Sequence, residues 1–166
     1  MITAGYARLL AAYNTWMNGR LYAAAAGLSD AERNRDLGAF FGSLQATLGH
    51  VLAVDQAWMG RFREGTPRTV DLVDRSRDFA ALVDARVALD AEIEEWAAGL
   101  DEDWLARDLD VVSNVDGVRR VLPAWIFVVH MFNHQIHHRG QATTLLKQLG
   151  IDPGVTDLPW LPLLAG

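Results

Sequence analysis

At 166 residues, 51% of them hydrophobic and 22% charged, the chain is long enough to bury a sizeable core and too apolar for a disordered segment. Lys+Arg is 15 and Asp+Glu is 21, a net charge of −6 with no basic block, which disfavours a nucleic-acid partner. Cysteine is absent, so a disulfide, a thiolate metal site and a cysteine nucleophile of the chain's own are excluded.

In chain order, the first helix is predicted from Thr3 to Gly27. Leu9, Leu10, Tyr13, Trp16, Met17 and Leu21 recur at helical spacing. Arg8, Asn14, Asn18 and Arg20 interrupt its apolar stretches, so it reads as amphipathic rather than as a signal peptide, and no run reaches membrane-spanning length. A cytoplasmic protein without a membrane partner is expected. Ser29 with Glu32 three residues on is a capping-box pattern for a short helical turn.

The second long helix is predicted over Ala39–Arg63, with Leu44, Leu48, Val51, Leu52, Trp58 and Phe62 on one face and Gly65 and Pro67 beyond its end. A connector covers 66–74. The third helix is predicted over Arg75–Gly99, where Phe79, Leu82, Val83, Leu89, Ile93 and Trp96 alternate with Asp, Glu and Arg. Asp116-Gly117, flanked by apolar residues, then signals a hairpin. The fourth helix should start near Pro123 and stop before Gly150. The apolar tail should lie extended over the bundle, with Trp160 covering it or buried against a partner subunit. One domain over 1–166 is expected, all-α, a four-helix bundle with a small hairpin-like insertion before the last helix. Trp16, Trp58, Trp96 and Trp125 are most simply its core.

Four of the five histidines fall in "HMFNHQIHHRGQ", His130 to Gln141. On a helix, residues i and i+4 share a face, so His134 and His138 form a pair, while His137 is turned about 100° from His138. His50, in the second helix, is the remaining histidine. The simplest closed proposal places His50, His134 and His138 around one divalent ion. Three imidazoles leave a coordination position for water or substrate, and imidazole alone does not choose among zinc, nickel, iron and copper. His130 and His137 are left to supporting or surface roles. The spacing also matches zinc proteases, but Gln135 stands where their glutamate base would be, and an amide takes no proton near neutral pH. Hydrolysis here would rest on metal-bound hydroxide.

Several other residues carry two readings. Asn14 and Asn18 could line a pocket mouth, and more simply hydrogen-bond neighbouring backbone or water. Asp55 could pair with Arg61, Arg139 or a ligand histidine, and more simply makes an ion pair. Arg139 could orient an anionic substrate or hold a carboxylate across helices. Tyr13 is a proton donor only if it faces the metal. No catalytic residue is assigned.

The stretches "YNTWMNGRL" (Tyr13 to Leu21), "GAFFGSLQATLGHVLAVDQAWMGRF" (Gly38 to Phe62) and "HMFNHQIHHRGQATTLLKQLGIDP" (His130 to Pro153) resemble the DinB family of damage-inducible bacterial proteins. The resemblance implies an up-down-down-up four-helix bundle, often a homodimer, and a metal, commonly zinc or nickel, on the residues matching His50, His134 and His138. Gly49 and Ile136 depart from the family's usual Asn and Thr. The wider superfamily includes metal-dependent enzymes that use a low-molecular-weight thiol, which implies a thiol-dependent S-transferase or isomerase acting on small electrophiles in stress response. A non-catalytic metal-binding stress protein and a metal-dependent hydrolase are the alternatives.

Overall fold

The computed structural model describes residues 1–68, 78–113 and 116–165. The described chain is mostly helical. In order, it contains α1 (Ala4–Ala26), α2 (Asp30–Arg33), α3 (Leu44–Glu64), α4 (Phe79–Ala98), α5 (Glu102–Ala106), β1 (Asp108–Val112), β2 (Arg119–Pro123) and α6 (Ala124–Gln148), followed by two short 3-10 turns. The helix starts are chemically marked. Thr3, Ser43, Asp78 and Asp101 sit in extended backbone, and their side chains accept the N–H of Tyr6, Ala46, Ala81 and Trp104. The capping box at Ser29 and Glu32 is present and opens α2.

α3 begins at Leu44, not Ala39. Ala39, Phe40 and Phe41 fit a helical pattern, but Gly38 and Gly42 take φ of 72° and 80°, a left-handed backbone that glycine tolerates without strain. Leu37 N–H donates to the Gly42 carbonyl at 2.9 Å and Gly42 N–H to the Ala39 carbonyl at 2.8 Å, closing a tight turn that Ser43 converts into a helix start. The expected start of the third helix at Arg75 lies outside the described residues. The described helix α4 starts at Phe79. The short helix α5 has its own Asp101 cap and is an addition to the expected elements. The hairpin is present, with β1 antiparallel to β2 and Val111 opposite Arg120. Pro123 ends β2 and precedes the first turn of α6 rather than joining it.

The four long helices pack in a ring of neighbours: α1 against α4 and α6, and α3 against α4 and α6. Leu21, Leu44, Met59, Ile93, Met131 and Leu146 are fully buried between them. Beyond the α3 end, the chain folds back on Gly60. A Cβ there would come within 2.5 Å of the Arg68 nitrogen and 2.7 Å of the Thr66 carbonyl, so only glycine admits this approach. At the same end, Phe62 stacks on Trp96 at 5.0 Å, with Trp58 and Trp104 around it. Trp58 and Trp96 are core; Trp16 and Trp125 are partly buried against it.

The tail is pinned rather than fully covering. The Tyr13 hydroxyl donates to the Thr156 carbonyl at 2.5 Å and Arg20 to the Pro153 carbonyl at 3.1 Å. Leu161 is buried, but Trp160 and Leu163 remain exposed.

Candidate metal centre

The seam between α3 and α6 carries the histidines. The helical period puts His134 and His138 one turn apart on α6, and α3 presents His50 across the seam. Their rings converge: centroids lie 4.3 Å apart for His134 and His138, 4.8 Å for His50 and His138, and 5.2 Å for His50 and His134. One nitrogen from each of the three lies within 4.8 Å of the others, a spacing that could hold one ion. His50 Nε2 and His134 Nε2 approach to 3.3 Å.

The tautomer of His138 is set from behind. Its Nδ1 meets Gln141 Oε1 at 2.8 Å, and an amide oxygen only accepts, so Nδ1 carries the hydrogen and Nε2 is left bare. Gln141 is the last residue of the histidine stretch, and its spacing of three from His138 is the signal that marks it as this partner. Phe41, delivered by the turn before α3, stacks on the His50 ring at 4.1 Å and lies 5.4 Å from that of His138. Sequence reasoning missed Phe41, because it placed the residue inside a helix.

Burial and neighbouring imidazoles keep His134 and His138 neutral. Desolvation, then the proximity of His138 and His50, pushes His134 down to about 3. Burial lowers His138 too, against the opposing bond to Gln141. His134 Nδ1 is buried and has no hydrogen-bond partner among the described residues. Three imidazole nitrogens facing one another can share at most the one hydrogen of the contact between His50 Nε2 and His134 Nε2, so lone pairs are left facing one another. A cation resolves that conflict, and so the donor set fits a divalent ion.

His130 and His137 are exposed and outside the trio. His130 lies edge-on to Trp58 at 5.3 Å, and His137 Nε2 approaches Gln141 Nε2 at 3.4 Å. Gln135, the residue in the protease-base position, is fully buried; its amide atoms have no hydrogen-bond partner among the described residues, and its proximity opposes the rise of the Asp55 pKa.

A second polar cluster occupies the bundle interior. Arg86 of α4 meets Asp55 of α3 at 2.7 Å and Asp90 of its own helix at 2.8 Å, and all three are buried. Asn14 and Asn18 of α1 donate to Asp90 Oδ1 at 2.8 and 3.0 Å, and Arg139 of α6 donates to Asn14 Oδ1. These contacts replace the backbone or water partners expected for the two asparagines. They also give Asp55 a partner, Arg86, that its own stretch of sequence does not reveal. Arg139 is buried here, facing the cluster's carboxylates rather than an open pocket. Tyr13 commits its hydroxyl to the tail, so it is not the metal-facing proton donor.

No helix among the described residues is long and apolar enough to cross a membrane. No curated protein gives a significant match to the chain. The family comparison is positive: the model of the DinB family matches residues 1–165. With the match spanning the chain and the histidine trio standing where the family resemblance implies its metal, this protein belongs to the DinB family.

Proposed function

We propose that His50, His134 and His138 hold one divalent ion, zinc or nickel, and that the protein is a metal-dependent enzyme using a low-molecular-weight thiol to transfer to, or isomerise, a small electrophile in stress defence. The observation that carries the reading is the convergence of three imidazoles with no fourth His, Cys, Asp or Glu in the group among the described residues. A structural site is closed by protein ligands, whereas three leave a position for an exogenous one. When bound, the ion would act as a Lewis acid that lowers the pKa of a thiol or water brought to it. The absence of cysteine from the chain means that such a thiol comes from outside.

The chain's own residues do the rest. His134 and His138 present their lone pairs without first losing a proton, and His50 completes the trio. Gln141 holds His138 in the tautomer that aims Nε2 inward. Phe41 shields one side of the His50 ring from water. Gln135 offers no carboxylate, so hydrolysis by a side-chain base is disfavoured. In the same reading, residues 1–166 act as one domain, the four long helices follow an up-down-down-up order supported by the ring of helix neighbours, and the chain works as a homodimer in the cytoplasm.

The test is elemental analysis of protein purified without an affinity tag or added metal, followed by assay with a model electrophile with and without a small thiol. One equivalent of metal and thiol-dependent turnover are expected. Turnover independent of thiol points to hydrolysis by bound hydroxide, and metal without any turnover to a non-catalytic metal-binding protein. Wild-type metal content in both His50→Ala and His134→Ala would refute the ligand assignment.

A further inference from the structure

Phe40 is 84% exposed and is linked to the histidine trio through Phe41, an unusual position for a large aromatic ring. Its exposure is imposed by the backbone. Besides the two turn hydrogen bonds and the left-handed glycines, Gly38 N–H donates to Asp36 Oδ1 at 2.9 Å, so the turn that carries Phe40 is fixed on both sides. Phe40 is also not isolated. It packs edge-on against Phe41 at 4.9 Å, and Phe41 contacts the rings of His50 and His138. A continuous run of rings therefore leads from solvent to two of the three nitrogen donors.

We propose that the Phe40–Phe41 turn is a stacking platform that selects exogenous ligands carrying a planar aromatic ring on the group that reaches the metal. The proposal rests on the metal-centre reading above and deepens it by naming the ligand class. Its chemistry is that of aromatic pairs, which prefer stacked or edge-to-face contact with another ring over contact with a saturated group of equal size. Phe40 supplies such a ring on a turn whose backbone is already fixed by hydrogen bonds, so the turn itself needs no ordering on binding.

The experiment uses the full chain loaded with zinc, and the matched metal ligands 4-phenylimidazole and 4-cyclohexylimidazole, measured by calorimetry and proton NMR. The planar probe should bind roughly two- to tenfold more tightly than the saturated one, and its ring protons should shift upfield. Phe40→Ala should abolish the preference and the shift while melting temperature and zinc content are retained. Phe40→Trp should keep both. Equal or tighter binding of the cyclohexyl probe by the wild type, failure of both probes to bind, or a preference that survives Phe40→Ala would overturn the proposal. A change of oligomeric state in Phe40→Ala without loss of ring preference would also overturn it, assigning the ring to a subunit contact. Adding ethanethiol to the same zinc-loaded protein separates the two claims: if the imidazoles show the preference but the thiol does not bind, the platform stands and the thiol-dependent activity falls.

Discussion

Two polar clusters lie within this bundle, and they differ in how their members satisfy one another. In the cluster of Asp55, Arg86 and Asp90, each carboxylate faces a guanidinium and the asparagines of α1 fill further acceptor positions. Opposite charges are paired, although Asp55 Oδ1 and Arg86 Nε have no hydrogen-bond partner among the described residues, and the cluster ties α1, α3, α4 and α6 together. In the cluster of His50, His134 and His138, the neutral rings leave lone pairs facing one another beyond the one contact between His50 Nε2 and His134 Nε2, and charged rings repel. The first pairs opposite charges within the chain; the second gathers donors of one kind with no opposite charge among them. Internal charge pairing, rather than burial or polarity, separates the structural polar core from the candidate binding site here.

The comparison breaks most readily at Asp55. Asp55→Ala leaves Arg86 buried with one carboxylate instead of two, and losing a partner from a buried pair costs about 3–5 kcal/mol. Chemical denaturation should show that loss, and a change below about 1 kcal/mol would place the helix clamp elsewhere. Metal affinity measured where the variant is folded should change far less than its stability.

His134→Ala should behave in the opposite way. Its metal affinity should fall by more than roughly 100-fold, the upper range for loss of a supporting residue, while the metal-free protein keeps its stability or gains some. The pH dependence sharpens the contrast. His134 is held to about 3 in the fold against 6.5 unperturbed, so its contribution to stability is fully present above about 6.5 and is lost as the pH falls towards 3. Desolvation raises Asp55 from 3.8 to about 6 despite the opposing charge of Arg86, so its contribution is fully present below about 3.8 and is lost as the pH rises through 6. Between pH 6 and 4, His134→Ala should therefore gain stability relative to the metal-free wild type, and Asp55→Asn should lose it. Denaturation curves across that range with slopes of the same sign would break the comparison.

The two clusters also differ in how far they can be read from sequence. His134 and His138 are legible because one helix turn separates them, and His50 because it is the one other histidine in a long helix. Arg86 and Asp90 look like the solvated side of an amphipathic helix. Their burial depends on Asp55 and on Asn14 and Asn18, from two other helices, and local periodicity carries no trace of that pairing. The long helices and the hairpin follow from period and turn chemistry. The turn at Phe40 and Phe41 was hidden because its aromatic residues continue the apolar spacing of α3, although Gly38, Gly42 and Ser43 together are the pattern of a turn and a cap. The bundle seam is thus readable, while the elements that wall it depend on backbone conformation.

The smallest expected effect concerns the contact between the site and its own helix. Gln141 touches the metal trio only through His138 Nδ1, so its loss removes no ligand. Gln141→Ala frees the His138 ring to turn and to place its hydrogen on either nitrogen, and only the form bare at Nε2 aims a lone pair at the other two histidines. Supporting partners of this kind are worth about 10- to 100-fold in metal affinity, and Gln141→Ala should fall in that range with stability changed by less than about 0.5 kcal/mol. Gln141→Glu retains an acceptor at the same position and adds charge, so it should restore affinity to the wild-type level or above. Competition against a chelator of known affinity measures both variants. Equal affinity in Gln141→Ala and wild type would show that the three imidazoles hold their own orientation, in which case the seam between α3 and α6 alone builds the site.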